Sequence, residues 1–223
     1  MVYKKKTSKV AILILTWNDW LNTIDCINSL IKSNYVNYDI FIIDNNSNQF
    51  NFDKIVNWIK KKNFNPIIIK HSLAKKKIVH TKKKNIYVYK IDKISKIRFA
   101  KNVGATKAYN IGIKYVLKNN YDYFVRLDCD FIVTKNFLRE SVETFEKLGN
   151  VATVSPKIYY HLKKKTNKIW WIGLRILKNY FKFQKTGGVN RKIEDKGQFK
   201  GFIETDSFCG CCTMFSSKIF LSE

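Results

Sequence analysis

Two short apolar runs, each ended by polar side chains, constrain the fold of this 223-residue chain more than any other feature. Val10–Thr16 reads VAILILT, and Tyr38–Asp44 reads YDIFIID. A continuous apolar run without alternation is typical of a parallel strand that is covered on both faces. Between the two runs, residues 19–33 have apolar side chains at helical spacing, which predicts an amphipathic helix. The beginning of the chain therefore predicts a β–α–β unit.

The alternation of strand and helix patterns continues to about residue 155. Further helices are predicted at 51–62, 103–119 and 135–148, and further strands at 121–127 and 151–155. Residues 66–70 and 86–91 are short strand candidates, and we expect one to join the sheet and the other to form part of an inserted hairpin. This order predicts an α/β fold, doubly wound, with a mostly parallel central sheet and helices on both faces. At this length we expect a single domain, since domains usually have about 100–200 residues.

The formal net charge of +25 has two explanations that the sequence leaves open. Of the 42 basic residues, 37 are Lys, and the lysine runs at 75–77, 82–84 and 163–165 are typical of solvated surface or of A/T-rich codon usage. The functional alternative is attraction to anionic lipid head groups or nucleic acid. Because no nucleic-acid-binding motif accompanies the charge, we expect no specific nucleic-acid partner.

The cysteines and the apolar runs indicate the cellular compartment in which we expect the protein. Five cysteines without a secretion signal indicate reduced thiols, and the cluster at 209–212 lacks the paired spacing of a zinc site. No apolar run is long enough to span a bilayer. We expect a cytoplasmic protein, with peripheral contact at the inner face of the membrane as a further hypothesis.

Polar side chains follow three of the predicted strands. The segment YDYFVRLDCD at 121–130 ends in Asp128 and Asp130, while Thr16 and Asp44 end the first two strands. In open α/β sheets, ligands bind outside the carboxyl ends of the strands. Carboxylates are the ligands that Mg²⁺ and related cations prefer, so D-x-D predicts a metal–nucleotide site, whereas its alternative is an ordinary surface turn.

Four motifs in order resemble family 2 glycosyltransferases with the type A fold, in the group that contains rhamnosyltransferases. They are VAILILTWNDW, FIIDNNSN, NVGATKAYNIGI at 102–113 and RLDCD, and the resemblance resumes at GQFKGFIETDSFCGCCTMFSSKIF. The resemblance implies a Rossmann-like fold in which residues 1–130 bind a nucleoside-diphosphate sugar and residues 131–223 face the acceptor. Residues 64–101 and 157–196 match the family only loosely.

The same resemblance implies roles for individual residues. The nucleotide-binding residues would be Thr16, Asn18, Asp44, Asn46, Gly104, Asn110 and Asp128. Asp128 and Asp130 would hold Mg²⁺ or Mn²⁺, which neutralises charge on the departing diphosphate. Basic residues near the site, Lys107 or Arg126, would assist. The chain departs from the family at Tyr109, since many relatives have an arginine just before the asparagine that matches Asn110.

Residues 131–223, which the resemblance assigns to the acceptor side, match fewer of the family's motifs. The family's base belongs to a Glu-Asp pair beyond the glycine that matches Gly210, and the sequence ends at Glu223 before such a pair. We therefore expect the chain to be incomplete at its C-terminus or to lack the usual base. Asp206 is the candidate carboxylate on the acceptor side, for positioning more than for catalysis, and Glu204 lies nearby.

The segment 169–185, IWWIGLRILKNYFKFQK, has two interpretations. It is either a loop and helix that cover the acceptor cleft or a surface at the membrane interface.

The function that the resemblance implies is metal-assisted, inverting sugar transfer to a glycan or lipid-linked acceptor. Two alternatives are a sugar-nucleotide nucleotidyltransferase and a non-catalytic basic fragment that binds nucleotides or polyanions.

Overall fold

A computed structural model describes residues 7–62, 67–70, 86–90, 102–162, 164–177, 182–184 and 193–220. The first elements in chain order are β1 (Val10–Thr16), α1 (Trp20–Ile31), β2 (Tyr38–Asp44), α2 (Gln49–Lys61), β3 (Ile67–Lys70), β4 (Ile86–Lys90), α3 (Ala105–Leu117) and β5 (Tyr123–Asp128). The later elements are α4 (Phe137–Leu148), β6 (Thr153–Val154), β7 (Ile158–Leu162), β8 (Lys164–Trp171), β9 (Arg175–Leu177), β10 (Lys182–Gln184), β11 (Ile193–Glu194), β12 (Cys212–Ser216) and a 3₁₀ helix at Ser217–Phe220.

Seven strands form the central sheet, in the order β3-β4-β2-β1-β5-β12-β6. The five strands from β3 to β5 in this order run parallel to one another. β12 pairs antiparallel with both β5 and β6. The fold is therefore α/β with a mostly parallel sheet, which confirms the fold class predicted from the sequence.

The two faces of the sheet are covered by different helices. Ile12 and Ile14 of β1 pack in one apolar cluster with residues of α1, α2 and α4. Leu13, which lies between them, packs in a second cluster with residues of α3. All three side chains are fully buried. Because successive side chains on a strand point to opposite faces, this burial on both sides explains why β1 has no polar alternation.

α3 packs closely on its face of the sheet at Gly112. A β-carbon at this position would lie 2.5 Å from Cδ1 of Ile43, so the glycine allows the helix to approach β2. The close approach places the first turns of α3 beside the carboxyl ends of the strands.

Two expectations about local structure were wrong. β3 and β4 both join the central sheet as parallel strands, so neither belongs to a hairpin within the described residues. The segment 169–185 contains strand residues in its described parts and no helix there. Ile169 and Trp171 of β8 are buried while Trp170 between them is half-buried, so this aromatic stretch follows the strand period of two.

The lysine runs at 75–77 and 82–84 lie outside the described residues, and so do the side chains of 163–165. In the part of the chain that the structure describes, no helix has both the length and the apolar character needed to cross a membrane.

Leu13→Ala should destabilise the fold strongly, since it removes a fully buried side chain between β1 and α3. We expect the free energy of unfolding in urea to fall by about 2–5 kcal/mol. Leu21→Ala is the matched control, because Leu21 is 59% exposed on α1 and its loss should cost less than about 0.5 kcal/mol. Equal losses in the two variants would contradict the assigned position of β1 in the core.

Candidate functional site

The sheet order places three polar strand ends side by side. β1 lies between β2 and β5, and Thr16 is the register partner of Asp44. On the other side of β1, Leu15 is the partner of Asp128. Thr16, Asp44 and Asp128 therefore line one edge of the sheet, the edge where parallel α/β sheets bind ligands.

The loop after β1 is joined to the loop after β2 by hydrogen bonds. The Asn18 backbone N–H donates to Oγ of Ser47 at 2.8 Å, and Oδ1 of Asn18 accepts from the Asn48 backbone N–H at 2.8 Å. Oδ1 of Asp44 accepts from the Ser47 backbone N–H at 2.8 Å. Asn18 and Asn46 both have positive φ, at 53° and 65°, a conformation that asparagine tolerates. The two loops thus form a single shaped surface.

A second set of asparagines joins the β2 loop to the beginning of α3. The Asn45 side chain donates to Oδ1 of Asn102, and its Oδ1 accepts from the Val103 backbone N–H at 3.1 Å. Oδ1 of Asn102 also accepts from the Gly104 backbone N–H at 2.7 Å. Gly104 is the N-cap of α3 and has a φ of 80°, which explains the glycine in the motif. These contacts fix the N-terminus of α3 beside the strand ends.

A side chain of α3 forms a hydrogen bond with the carboxylate of Asp128. The Tyr109 hydroxyl donates a 2.6 Å hydrogen bond to Oδ1 of Asp128, and Tyr109 is only 2% exposed. Burial, followed by the charge of Asp128, raises the pKa of Tyr109, so its hydroxyl stays protonated and remains a donor. The Asp128 backbone N–H donates to the Cys211 carbonyl at 2.9 Å. The carboxylate therefore has a defined orientation before any ligand binds.

Asp130 lies beyond the end of β5 and is exposed. Desolvation raises its pKa, and the charges of Asp128 and Asp19 add to this effect. Among the described residues, no group of three or more His, Cys, Asp or Glu side chains forms a metal site. The two carboxylates of D-x-D fit a hard divalent cation that takes its remaining oxygen ligands from water and a bound phosphate.

Cysteines lie around this edge of the sheet. Burial raises the pKa of Cys129 to about 11, and the thiol lies within hydrogen-bonding reach of Thr23 and Thr16. A hydrogen bond from Cys211 lowers the pKa of Cys209 to about 7. Cys212 begins β12, whereas Cys209 and Cys211 lie in the turn before it. All five cysteines are free thiols, as expected from the sequence.

The remaining candidate residues lie farther from the strand ends or have exposed side chains. Lys107 and Asn110 are exposed on α3. Asp206 is exposed, and its backbone N–H donates to the Leu174 carbonyl at 2.9 Å. The structure thus gathers the strand-end candidates at one edge, while Asp206 lies on the exposed segment that leads to β12.

A groove of about 1220 Å³ lies on the α4 side of the fold. Its lining includes Ser155, Trp171, Glu204 and Phe208, but none of the strand-end residues Thr16, Asp44 and Asp128. The D-x-D carboxylates are therefore not among the residues that line this groove.

Two features of the site were missed by sequence reasoning. Tyr109 was considered only as a replacement for arginine, although its spacing from Gly112 and Val116 places it on the buried face of α3. Asn45 and Asn102 are 57 positions apart, and no local pattern indicates that they meet.

Comparisons with known proteins bear on the family and on the fold. The family model described as Glycosyl transferase family 2 matches residues 76–221, more than half of the chain. No curated protein matches the chain.

Similar folds occur among solved structures. TarS 1–349 from S. aureus in complex with UDP-GlcNAc has a TM-score of 0.51 at 14% identity, over 76% of this chain and 41% of that one. Its complex with UDP has a TM-score of 0.51 at 14% identity, over 76% and 42% of the two chains. The mannosyltransferase PcManGT from Pyrobaculum calidifontis, in complex with GDP-Man and Mn²⁺, has a TM-score of 0.49 at 12% identity, over 70% and 37%. The chain thus spans about two-fifths of the length of these structures, and the likeness to TarS shows a shared fold.

Tyr109→Phe should weaken Mn²⁺ binding, because it removes the donor that orients the Asp128 carboxylate while keeping the aromatic ring. The free energy of unfolding should also fall by about 1–3 kcal/mol, as expected for a lost hydrogen bond to a charged group. The measurements are Mn²⁺ titration by calorimetry and urea unfolding.

Tyr121→Phe is the matched control, since the Tyr121 hydroxyl donates a 2.6 Å hydrogen bond to Asp39 at the opposite edge of the sheet. Tyr121→Phe should lower the free energy of unfolding by about as much as Tyr109→Phe does, but it should leave the affinity for Mn²⁺ unchanged. Equal effects on Mn²⁺ affinity in both variants would show that Tyr109 acts only through stability.

Proposed function

The chain belongs to glycosyl transferase family 2, and we propose that it moves a sugar from a nucleoside-diphosphate donor to a glycan or lipid-linked acceptor with inversion. The observation that supports this most is the alignment of Thr16, Asp44 and Asp128 on three adjacent parallel strands. A nucleotide placed across these strand ends would meet a polar pocket at one end and the D-x-D carboxylates at the other. TarS, which shares the fold, binds UDP-GlcNAc and UDP.

The nucleoside would occupy the surface formed by the loops after β1 and β2. Thr16, Asn18, Asp44 and Asn46 belong to these loops, and their hydrogen bonds to one another hold the surface in place. A rigid pocket binds more tightly than a flexible one, because less conformational entropy is lost on binding. Gly104 and Asn110 would lie along the same ligand at the beginning of α3.

Asp128 and Asp130 would hold Mg²⁺ or Mn²⁺ next to the diphosphate. The bound cation would supply Lewis-acid stabilisation of the departing diphosphate. Tyr109 keeps one oxygen of Asp128 occupied, so the carboxylate presents its other oxygen in a fixed direction. The exposed Asp130 is accessible to a ligand that enters from solvent.

We propose that residues 131–223 form the acceptor-facing half of the same domain. Asp206 would position an acceptor hydroxyl, since a carboxylate within hydrogen-bond reach of that hydroxyl can accept its proton. The groove on the α4 side offers room for an extended glycan, but it is lined by Glu204 rather than Asp206.

The two alternatives have less support. A nucleotidyltransferase would need a glycine- and lysine- or arginine-rich first loop, and TWNDW at 16–20 contains none of these residues. A polyanion-binding fragment is favoured only by the net charge of +25, and such binding should weaken steeply with salt.

Asp130→Asn should weaken metal-dependent nucleotide binding by about tenfold or more, equivalent to about 1.4 kcal/mol. The reason is that a neutral amide is a poorer ligand for a hard cation than a carboxylate. Calorimetric titrations with UDP, GDP and dTDP, each with and without Mn²⁺, measure this change. Binding without Mn²⁺ should stay the same, because the nucleoside pocket is untouched.

Asp25→Asn serves as control, since Asp25 is exposed on α1. If the unmodified chain binds none of the three nucleotides, the transferase proposal is wrong. The polyanion alternative gains if heparin binds instead, with a steep loss of affinity between low and high salt.

A further inference from the structure

We propose that Arg126 is the anion-binding residue of the donor site and that its guanidinium contacts the diphosphate of the nucleotide. This inference rests on the proposed function and adds a binding residue on the sheet itself. Three observations support it: the position of Arg126, the absence of a counter-ion among the described residues, and the stacking of its guanidinium on the Tyr109 ring.

Arg126 lies on β5, two residues before Asp128 and therefore on the same face of the strand. Its register partners are Leu13 on β1 and Thr213 on β12. The side chain extends toward Gly210, where a β-carbon would lie 3.9 Å from Nη2 and 4.0 Å from Nη1. Gly210 precedes Cys211, whose carbonyl accepts from the Asp128 backbone N–H. The guanidinium therefore reaches the same sheet edge as the D-x-D carboxylates.

The charge of Arg126 has no protein counter-ion among the described residues. Its guanidinium forms no ion pair with a carboxylate of the described ranges, and its Nε is buried without a hydrogen-bond partner there. Tyr109 is its neighbour, through both its ring and its hydroxyl, but a neutral tyrosine supplies no counter-charge. A half-buried cation without a counter-ion is costly, since burial removes part of its hydration. A ligand anion would remove this cost.

Tyr109 fixes the direction of the guanidinium. The central carbon of the Arg126 guanidinium lies 4.3 Å from the centroid of the Tyr109 ring, while the hydroxyl of the same ring donates to Asp128. The Arg126 side chain is also within hydrogen-bonding reach of the Tyr109 hydroxyl. Because a guanidinium has five N–H donors, donors remain at its edge for another group. Tyr109 thus orients two groups, the Arg126 guanidinium and the Asp128 carboxylate that would hold the cation.

A diphosphate fits this arrangement better than a single carboxylate. Guanidinium presents a planar fork of donors that matches two phosphate oxygens at once. A cation on Asp128 and Asp130 would bind other oxygens of the same diphosphate from its own side. The diphosphate would then lie between two positive charges, one a metal ion and one a fixed side chain.

The test compares Arg126→Gln with the unmodified chain. For whichever of UDP, GDP and dTDP binds best with Mg²⁺, we expect an affinity loss of about 10- to 100-fold, since a hydrogen bond to a charged group contributes about 1.5–3 kcal/mol. The affinity for the matching nucleoside, measured by ligand-observed NMR, should stay within about twofold because it has no phosphate. Arg126→Lys keeps the charge but loses the planar fork of donors. Its nucleoside-diphosphate affinity should therefore lie between those of the unmodified chain and Arg126→Gln.

Arg139→Gln is the matched control, since Arg139 lies on α4 and pairs with Glu143 at 3.8 Å. Circular dichroism checks that each variant is folded. The inference is overturned if Arg126→Gln binds the nucleoside diphosphate as tightly as the unmodified chain does. It is also overturned if this variant loses as much affinity for the nucleoside as for the nucleoside diphosphate. Both outcomes leave the proposed function standing. Failure of the unmodified chain to bind any of the nucleotides overturns the proposed function as well. Inorganic pyrophosphate with Mg²⁺ should displace the nucleotide from the unmodified chain, and failure to do so also counts against the inference.

Discussion

The parallel pairing of β1 with both β2 and β5 is the constraint on which the rest of the structure depends. It places Thr16 beside Asp44, and Leu15 beside Asp128, in a single register. It also buries both faces of β1, which separates α3 from α1, α2 and α4. A register shift of one residue would turn Leu13 toward the wrong helix layer and would move the strand ends apart. Core packing and site geometry thus have the same physical origin.

Side-chain amides connect the loops that this pairing brings together. Asn18 joins the first loop to the second, and Asn45 joins the second to the beginning of α3. Asparagine suits this purpose because its amide both donates and accepts, so one side chain satisfies backbone groups on different loops. Hydrogen bonds of these side chains therefore join the three loops to one another.

Sequence reasoning was most successful where one local pattern determines the outcome. The unbroken apolar runs of β1 and β2 predicted strands covered on both faces, and the family signature agreed with the fold that was found. Sequence reasoning failed at 169–185, because bulky aromatic residues fit a helix as readily as a strand. The pairing of β8 with β7 and β11 makes the first part of this segment a strand, and the sequence does not show that pairing. The stacking of Arg126 on Tyr109 also depends on packing between β5 and α3, which no spacing along the chain specifies.

The double role of Tyr109 has a consequence for how the two halves of the core tolerate change. Its ring belongs to the apolar cluster under α3, and its hydroxyl reaches Asp128. Because interiors are close-packed, a change of volume elsewhere in that cluster, such as at Phe124 or Val116, would be felt at the Tyr109 ring. The other cluster reaches Asp128 by a different route, through its neighbour Leu127. Core residues on both faces of the sheet therefore bear on the position of this carboxylate, even where they never touch a ligand.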